Sequence, residues 1–190
     1  MRVDAPSGAS GGLALAGAQA LPRTDRRGVD VLTLSLVFVV VALVTLPRLF
    51  DFARQENEED AVWLVRTALE ELSVAGSAAR PAALGELFAR SPRLARQFRD
   101  RRLLDGGRLV HHHGYFFAIV STESDARVLG WPTHFGRTGV AAVLGIAGRA
   151  PAAPPELLGH AHAAEHGRPE LPADVGELRA RGWQHVALRE

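Results

Sequence analysis

An uncharged apolar run near the N-terminus, from Val31 to Leu46, constrains this chain more than any other feature. Its sixteen residues include only three hydroxyl side chains, and as a helix they reach about 24 Å at about 1.5 Å per residue. The hydrocarbon core of a bilayer is about 30 Å thick. Continuing the helix through Pro47 to Phe52 supplies the missing turn, because Arg48 can extend its guanidinium to the membrane surface. The run therefore predicts a transmembrane helix over residues 29–50.

Two other interpretations of the apolar run fit the sequence less well. A helix in a soluble core is seldom this long and this free of charge. A cleaved secretory signal would need a small-x-small site after the run, and none follows. Such a site does occur in "LALAGAQA", residues 13–20, but the apolar segment that it would end is weak. The run is thus expected to remain as a membrane anchor.

Arginines on the N-terminal side of the anchor indicate its orientation. Arg23, Arg26 and Arg27 directly precede the run, whereas acidic residues accompany the arginines that follow it. Positively charged flanks stay in the cytoplasm. We therefore predict a single-pass inner-membrane protein with a cytoplasmic N-terminus and a periplasmic C-terminal domain. Residues 1–22 are rich in Gly, Ala, Ser and Pro, and residues 1–28 are expected to form a disordered cytoplasmic tail or leader.

Composition limits the remaining function classes. Of the 190 residues 47% are hydrophobic, which supports a folded core. The formal net charge is +1, so no overall positive field favours nucleic acid as a partner. The chain has no cysteine, which excludes disulfides, thiolate metal sites and cysteine nucleophiles.

Apolar residues at three- and four-residue spacing predict that the anchor continues as an amphipathic helix over residues 51–78. These residues are Ala61, Leu64, Val65, Ala68, Leu69 and Leu72. One helix from about Asp30 to about Val74 is therefore expected, with any bend at Pro47. A second helix should begin near Pro81 and restart at Ser91, which can act as an N-cap.

After Arg108 the pattern changes to β-branched and aromatic residues. The segment "RLVHHHGYFFAIVST" predicts two strands or one bent strand, and "RVLGWPTH" and "VAAVLGIAG" predict one strand each. Residues 150–172 are expected to be loop, "ADVGELRARGW" a short helix and "QHVAL" a last strand. The predicted fold is α+β: a long N-terminal helix packed on a small antiparallel sheet, with residues 79–190 as the periplasmic domain.

This layout resembles that of type IV pilins and of the pseudopilins of type II secretion systems. The matching features are the basic leader and glycine at Arg26-Arg27-Gly28, the early acidic residue Asp30, and Pro47 seventeen residues later. In the C-terminal part, "GYFFAIVS" and "VLGWPTHFGRTGVAAVLGIAG" are similar to a pseudopilin-like sheet module. Together these matches cover most of residues 26–150. Asp30 departs from the family pattern, because it would be the second residue after the glycine and not the fifth.

The resemblance implies several partners and one processing site. A prepilin peptidase would cut after Gly28 and leave Val29 with a free amine. Other pilin-like or pseudopilin subunits and membrane lipid would contact the helix. In such an assembly Asp30 would pair with a positive group of a neighbouring subunit, because a carboxylate near hydrocarbon is costly when unpaired. A second interpretation is that Asp30 only caps its own helix and stabilises it by about 1 kcal/mol.

The histidines are the most conspicuous candidates for other chemistry. In a strand, His111 and His113 would share one face, and alternate histidines can chelate a metal. A second group lies in the predicted loop and consists of His160, His162, Glu165 and His166. Neither group has the spacing of an established metal motif. We therefore interpret both as exposed histidines and predict no metal and no cofactor.

Three further features also favour ordinary surface or core roles. The aromatic residues Tyr115, Phe116, Phe117 and Trp131 are expected to form the core of the sheet and not a ligand site. Arg90, Arg93, Arg96 and Arg99 recur every three residues and are expected to form a solvated helix face, and nucleic acid is not expected as a partner. The acidic segment from Glu56 to Asp60 is expected to be solvated. Catalysis has no support, because no Gly-x-Ser-x-Gly elbow and no phosphate-binding glycine loop is present, and no small-molecule substrate is indicated.

The sequence thus favours a non-enzymatic, membrane-anchored structural subunit of a type II secretion or type IV pilus-type system. The alternative is a single-pass tethered periplasmic binding or sensory domain that does not assemble. A third and weaker hypothesis is a metal-binding envelope protein that uses the histidines. The fate of the N-terminus separates the first two, because only an assembling subunit needs a processed leader.

Overall fold

The computed structural model describes residues 26–74, 80–120, 125–147 and 155–186. These residues form four α-helices, one short 3-10 helix and seven β-strands. The chain divides into two compact units, residues 1–44 and residues 45–190, which are described separately. Most of the predicted disordered tail, residues 1–28, lies outside the described residues.

Helix α1, Arg26–Val74, is 49 residues long and contains Pro47. It confirms the continuous helix predicted from Asp30 to Val74. Proline removes one backbone donor from the helix, yet the helix continues on both sides of it. The sequence predicts the anchor at residues 29–50 and the start of the amphipathic half at residue 51. Both boundaries fall inside α1, so they stay predictions.

Helix α1 is apolar and exposed from Val31 to Leu46, and its exposed apolar side chains continue to Phe52. In the described part of the chain, one helix, Asp30–Val74, is long and apolar enough to cross a membrane, and its most apolar window is 0% buried. Large apolar side chains from Val31 to Phe52 are between 49% and 74% exposed. A membrane anchor and a signal sequence share this composition. The structure therefore supports the long apolar N-terminal helix that the sequence predicts, which either of the two would have.

The second unit contains a seven-stranded antiparallel sheet in which each strand pairs with the next in sequence. The strands are β1 Arg102–Leu104, β2 Leu109–His112, β3 Tyr115–Ile119, β4 Arg127–Pro132, β5 Ala142–Ile146, β6 Glu156–His160 and β7 Gln184–His185. The other helices are α2 Leu84–Arg90, α3 Pro92–Gln97 and α4 Val175–Ala180.

A short sequence repeat positions the helix against the sheet. The tripeptide Val-Leu-Gly occurs at 128–130 in β4 and at 143–145 in β5, and the register pairs each glycine with the valine of the other strand. Both valines and both glycines therefore lie on one face, and the two leucines lie on the other. A methyl group at Gly145 would meet Leu69 Cδ1 and lie 2.6 Å from Val65 Cγ1. The glycine thus permits the close approach of α1.

Two apolar cores lie on the two faces of the sheet. The first joins α1, α2 and α3 to the sheet and includes Leu64, Val65 and Leu69 of α1. The second includes Leu178 of α4 and Trp183. This arrangement, a long helix in contact with an antiparallel sheet, confirms the predicted α+β fold.

Helix starts and strands that the sequence predicts from neighbouring residues are confirmed. Ser91 Oγ accepts a hydrogen bond from the Leu94 backbone N–H at 3.2 Å and Pro92 opens α3, as predicted. The segment "RLVHHHGYFFAIVST" forms two strands, β2 and β3. Strand β6 lies in the segment predicted as loop, and β1 was not predicted. Both are short, and their strand conformation depends on pairing with β5 and β2.

Candidate functional site

The acidic segment of α1 contacts two turns of the sheet and is not uniformly solvated, contrary to the sequence expectation. Glu58 Oε1 accepts a hydrogen bond from the Val140 backbone N–H at 2.8 Å. The neighbouring Asn57 donates from Nδ2 to the Thr138 carbonyl at 3.1 Å. These contacts hold the turn between β4 and β5 against the helix. Glu56 and Glu59 are exposed, as the sequence predicts.

The turn between β2 and β3 places two histidines side by side. Strand β2 ends at His112, which pairs with Tyr115, and the two residues between them have positive φ: 41° at His113 and 75° at Gly114. Two central residues with positive φ are typical of a tight hairpin turn that follows the twist of the strands. The turn removes His113 from the strand, so His111 and His113 do not share a strand face as the sequence predicted. The rings of His112 and His113 stack instead, with centroids 3.9 Å apart.

His113 lies between two carboxylates from different parts of the chain. Its Nδ1 is 2.5 Å from Asp60 Oδ2 in α1, and its Nε2 is 2.7 Å from Asp100 Oδ2 in the loop before β1. The hydrogen bond with Asp60 is the largest cause that raises the pKa of His113, and Asp100 adds to it against the effect of burial. The imidazole therefore bridges α1 to the loop before β1.

His112 is the buried member of this group, with 5% of its surface exposed. Burial is the main cause that lowers its pKa, and the neighbouring His113 adds to the effect. The Phe98 ring meets it edge-on at 5.2 Å. His112 Nδ1 is 3.2 Å from Asp100 Oδ1, but the alignment is not that of a hydrogen bond. Among the described residues this buried nitrogen has no hydrogen-bond partner.

Asp100 completes the group from the exposed side. Burial acts to raise its pKa, but the hydrogen bond from His113 and its own backbone hydrogen bond together leave the pKa below the usual value. We refer to Asp60, Asp100, His112 and His113 as the His–Asp cluster. Asp60, His112 and His113 each offer a ligand atom, and these three atoms lie within 4.8 Å of one another.

The sequence pointed to part of this cluster and missed the rest. The histidine run is visible in the sequence, whereas Asp60 and Asp100 lie 53 and 13 residues from His113, so no spacing pattern connects them to it. The signal that could have placed His113 correctly is the glycine that follows it, since a His-Gly pair fits a two-residue hairpin turn.

The residues predicted from the pilin resemblance all lie on α1. Gly28 and Val29 belong to its first described turn, and their side chains lie outside the described residues. Asp30 is exposed and lies inside the helix, since α1 already includes Arg26, so Asp30 is not its N-cap. Pro47 is exposed on the same helix. Their roles in processing and assembly stay predictions.

The second histidine group does not converge on a ligand site in the part of the chain that is described. His160 Nε2 donates to the Arg181 carbonyl at 2.8 Å, and its Nδ1 accepts from the His162 backbone N–H at 3.1 Å. Both ring nitrogens of His160 are therefore engaged. Glu165 and His166 are exposed.

The remaining side chains singled out in the sequence have surface or core positions. Arg90, Arg93, Arg96 and Arg99 are exposed, as predicted, but they do not form one helix face. Arg90 ends α2, Arg93 and Arg96 lie on α3, and Arg99 follows α3. Tyr115, Phe117 and Trp131 are buried in the sheet, as predicted, and Phe116 is partly buried. Trp63 of α1 packs against Phe98 with ring centroids 5.3 Å apart.

Comparisons with known proteins do not assign the chain to a family. It matches no protein-family model, no curated protein and no solved structure. The architecture is a long apolar N-terminal helix whose later part packs on an antiparallel sheet. That architecture is consistent with a pilin-like fold.

Proposed function

We propose that this chain is a membrane-anchored, pilin-like structural subunit of a type II secretion or type IV pilus-type system. One observation carries the proposal: a single 49-residue helix is apolar and exposed in the first unit and forms part of the core of the second. The same helix can therefore contact lipid or other subunits and also hold a folded domain.

The exposed apolar side chains require a partner that excludes water. Burying one large apolar side chain contributes about 1.5–3 kcal/mol, so a run of this length would be strongly unfavourable in water. Membrane lipid supplies such an environment, and the apolar helices of other pilin-like subunits supply it equally well. Both are the partners that we propose. In this setting Asp30 would be paired with a positive group of a neighbouring subunit.

The segment of α1 within the second unit is anchored more firmly than a simple tether needs. Ala61, Leu64, Val65, Ala68, Leu69 and Leu72 are all nearly or fully buried against the sheet and the short helices. Polar contacts from Asn57, Glu58 and Asp60 add fixed points on two turns. A subunit that assembles through its helix needs the domain held in one orientation on that helix. These contacts support the structural-subunit proposal over the tethered sensory domain.

The decisive experiment determines the mature N-terminus and the contacts of the apolar run. Protein extracted from membranes is sequenced from its N-terminus, and we expect Val29 as the first residue. The chain has no cysteine, so Val37→Cys introduces a single thiol for oxidative cross-linking between copies or to co-expressed pilin-like proteins. Specific cross-linked species are expected. An intact Met1 together with no specific cross-link would favour the tethered domain.

A control separates assembly from random collision in the membrane. The single cysteine is moved to Leu46 or to Phe50, further along the exposed run, and the cross-linking yields at the three positions are compared. A packed helix interface gives yields that depend on the helix face, whereas random collision gives similar yields at all three. Similar yields would count against the structural-subunit proposal.

A further inference from the structure

The His–Asp cluster has the donor atoms of a metal site. Three of its members, Asp60, His112 and His113, offer two imidazoles and one carboxylate whose ligand atoms lie within 4.8 Å of one another. Two histidines and a carboxylate form a donor set that suits Zn²⁺ and related divalent transition ions, whereas Ca²⁺ and Mg²⁺ prefer oxygen donors only. From this geometry we propose that Asp60, His112 and His113 bind one divalent transition-metal ion of the Zn²⁺ type.

The buried nitrogen of His112 is an independent observation that points to a ligand. His112 is 5% exposed, and its Nδ1 lies 3.2 Å from Asp100 Oδ1 but makes no hydrogen bond among the described residues. A buried polar atom without a partner costs free energy, and such atoms are rare in folded proteins. A metal ion beside the two neighbouring ligands would give this nitrogen a partner.

The distances indicate how the cluster would change when the ion binds. Ligand bonds of about 2.0–2.2 Å in a tetrahedral site place neighbouring donor atoms about 3.3 Å apart. His113 Nδ1 and Asp60 Oδ2 are 2.5 Å apart, so they must separate by roughly 0.8 Å and lose the proton between them. The Asp60 side chain is 43% exposed and the His113 side chain 46%, which leaves room for this movement.

Asp100 fits the role of an outer carboxylate that orients a ligand. It lies 2.7 Å from His113 Nε2, the ring nitrogen that would not bind the ion. Metal-binding histidines commonly donate their second N–H to a carboxylate, which fixes the tautomer and the ring orientation. Asp100 would therefore hold the proton of His113 on Nε2 and leave Nδ1 free for the ion.

An open groove gives the ion access from solvent. It is lined by Glu56, Asn57, Glu59, Asp60 and His113. The carboxylates of Glu56 and Glu59 add negative charge near the cluster, which favours a cation. Three protein ligands leave one tetrahedral position, which water can fill from this groove. The ion would join α1 to the β2–β3 turn and stabilise the second unit.

Zinc binding to the full chain tests the proposal. Tag-free protein in detergent micelles is stripped with a chelator and dialysed against Zn²⁺, and bound metal is measured. We expect one equivalent per chain and a melting temperature that rises with Zn²⁺ but not with equal Mg²⁺. The sequence alone predicts no metal, and absence of saturable binding at one equivalent would uphold that prediction and overturn the proposal.

Matched variants locate the site. Asparagine tolerates positive φ, so His113→Asn suits the backbone of the turn. His111→Asn makes the same change at the nearby histidine that lies outside the His–Asp cluster. We expect Asp100→Asn to lower the Zn²⁺ affinity roughly 10–100-fold, because it removes the outer carboxylate. His113→Asn should lower the affinity by more than that, because it removes a ligand. His111→Asn should leave the affinity unchanged. Asp60→Asn is close in shape to the native residue and decides the outcome if His113→Asn does not fold. Wild-type affinity in Asp60→Asn, or equal loss in His111→Asn, would overturn the proposal.

Discussion

The packing of α1 on the sheet can be tested at the contact between Gly145 and Leu69. In the variant Gly145→Ala, the new methyl carbon would meet Leu69 Cδ1 and would lie 2.6 Å from Val65 Cγ1 and 3.0 Å from Leu69 Cγ. Carbon atoms in contact prefer about 3.5–4.0 Å, so these groups must move by about 1 Å or more. Leu69 and Val65 are both 0% exposed, so any movement must take place within a close-packed core.

The expected cost follows from this crowding. Overpacking a close-packed core costs about 1–3 kcal/mol. The loss of a glycine from the unfolded chain offsets about 0.4–1 kcal/mol of that, since Gly145 does not have the positive φ that favours glycine. We therefore expect Gly145→Ala to lower the free energy of unfolding by about 1–2 kcal/mol. Leu69→Ala alone should lower it by about 2–5 kcal/mol, because it leaves a cavity in the core.

The double variant provides the critical measurement. Leu69→Ala removes the Cγ and Cδ1 atoms that the new methyl group would crowd, so the two changes should cost less together than their sum. We expect a coupling free energy of about 0.5–3 kcal/mol, with part of the strain remaining at Val65. Urea unfolding of the full chain in detergent, followed by tryptophan fluorescence, reports on the second unit, which contains all three tryptophans.

The control pairs Gly145→Ala with Leu178→Ala, which truncates a fully buried leucine in the other core. These two changes should be additive within about 0.3–0.5 kcal/mol. Equal coupling in both pairs, or a Gly145→Ala variant as stable as the wild type, would show that α1 does not approach the sheet at this glycine.

Four further predictions address burial, assembly, topology and folding. Arg127 is 1% exposed, pairs with the buried Asp125 at 3.4 Å and donates to the Pro172 and Ala173 carbonyls. Arg127→Met removes the cation from that buried pair and should therefore cost about 3–5 kcal/mol in urea unfolding, against less than about 1 kcal/mol for the exposed Arg179→Met. Asp30→Asn should reduce cross-linking between copies and leave the melting temperature of the domain unchanged; unchanged cross-linking would remove Asp30 from assembly. Reporter fusions after Arg54 and at the C-terminus should be active only in the periplasm, and cytoplasmic activity at either would refute the topology. Deleting residues 1–54 should leave a folded, soluble α+β domain by circular dichroism, and an unfolded spectrum would show that the sheet needs the missing part of α1.

Features that depend on local sequence could be predicted, and features that depend on distant pairing could not. The spacing of Leu64, Leu69 and their neighbours predicts the buried face of α1 because helical periodicity is a local property. Ser91 predicts the start of α3 for the same reason. Strand β6, in contrast, has its conformation from pairing with β5, and its proline- and histidine-rich surroundings are typical of a loop.

The candidate site illustrates the same division. The histidine run is visible in the sequence, but its side chains point differently in a strand and in a tight turn. Which of the two conformations forms depends on the φ of His113, which is positive in the structure. The partners of His113 come from α1 and from the loop before β1, so that no spacing rule connects them. The Val-Leu-Gly repeat is present in the sequence, but its meaning appears only when the register places both glycines under α1.

Within the second unit, the contacts of α1 bear on the choice between a subunit and a tether. Apolar burial alone would allow the helix to slide or rotate on the sheet, because dispersion and the hydrophobic effect are weakly directional. Hydrogen bonds are directional, and Asn57, Glu58 and Asp60 place them at two separate turns. The glycines of β4 and β5 add a steric constraint, since only one helix position places Leu69 over Gly145. Together these contacts fix the sheet domain on its helix, which a filament subunit requires for regular packing and a flexible tether does not.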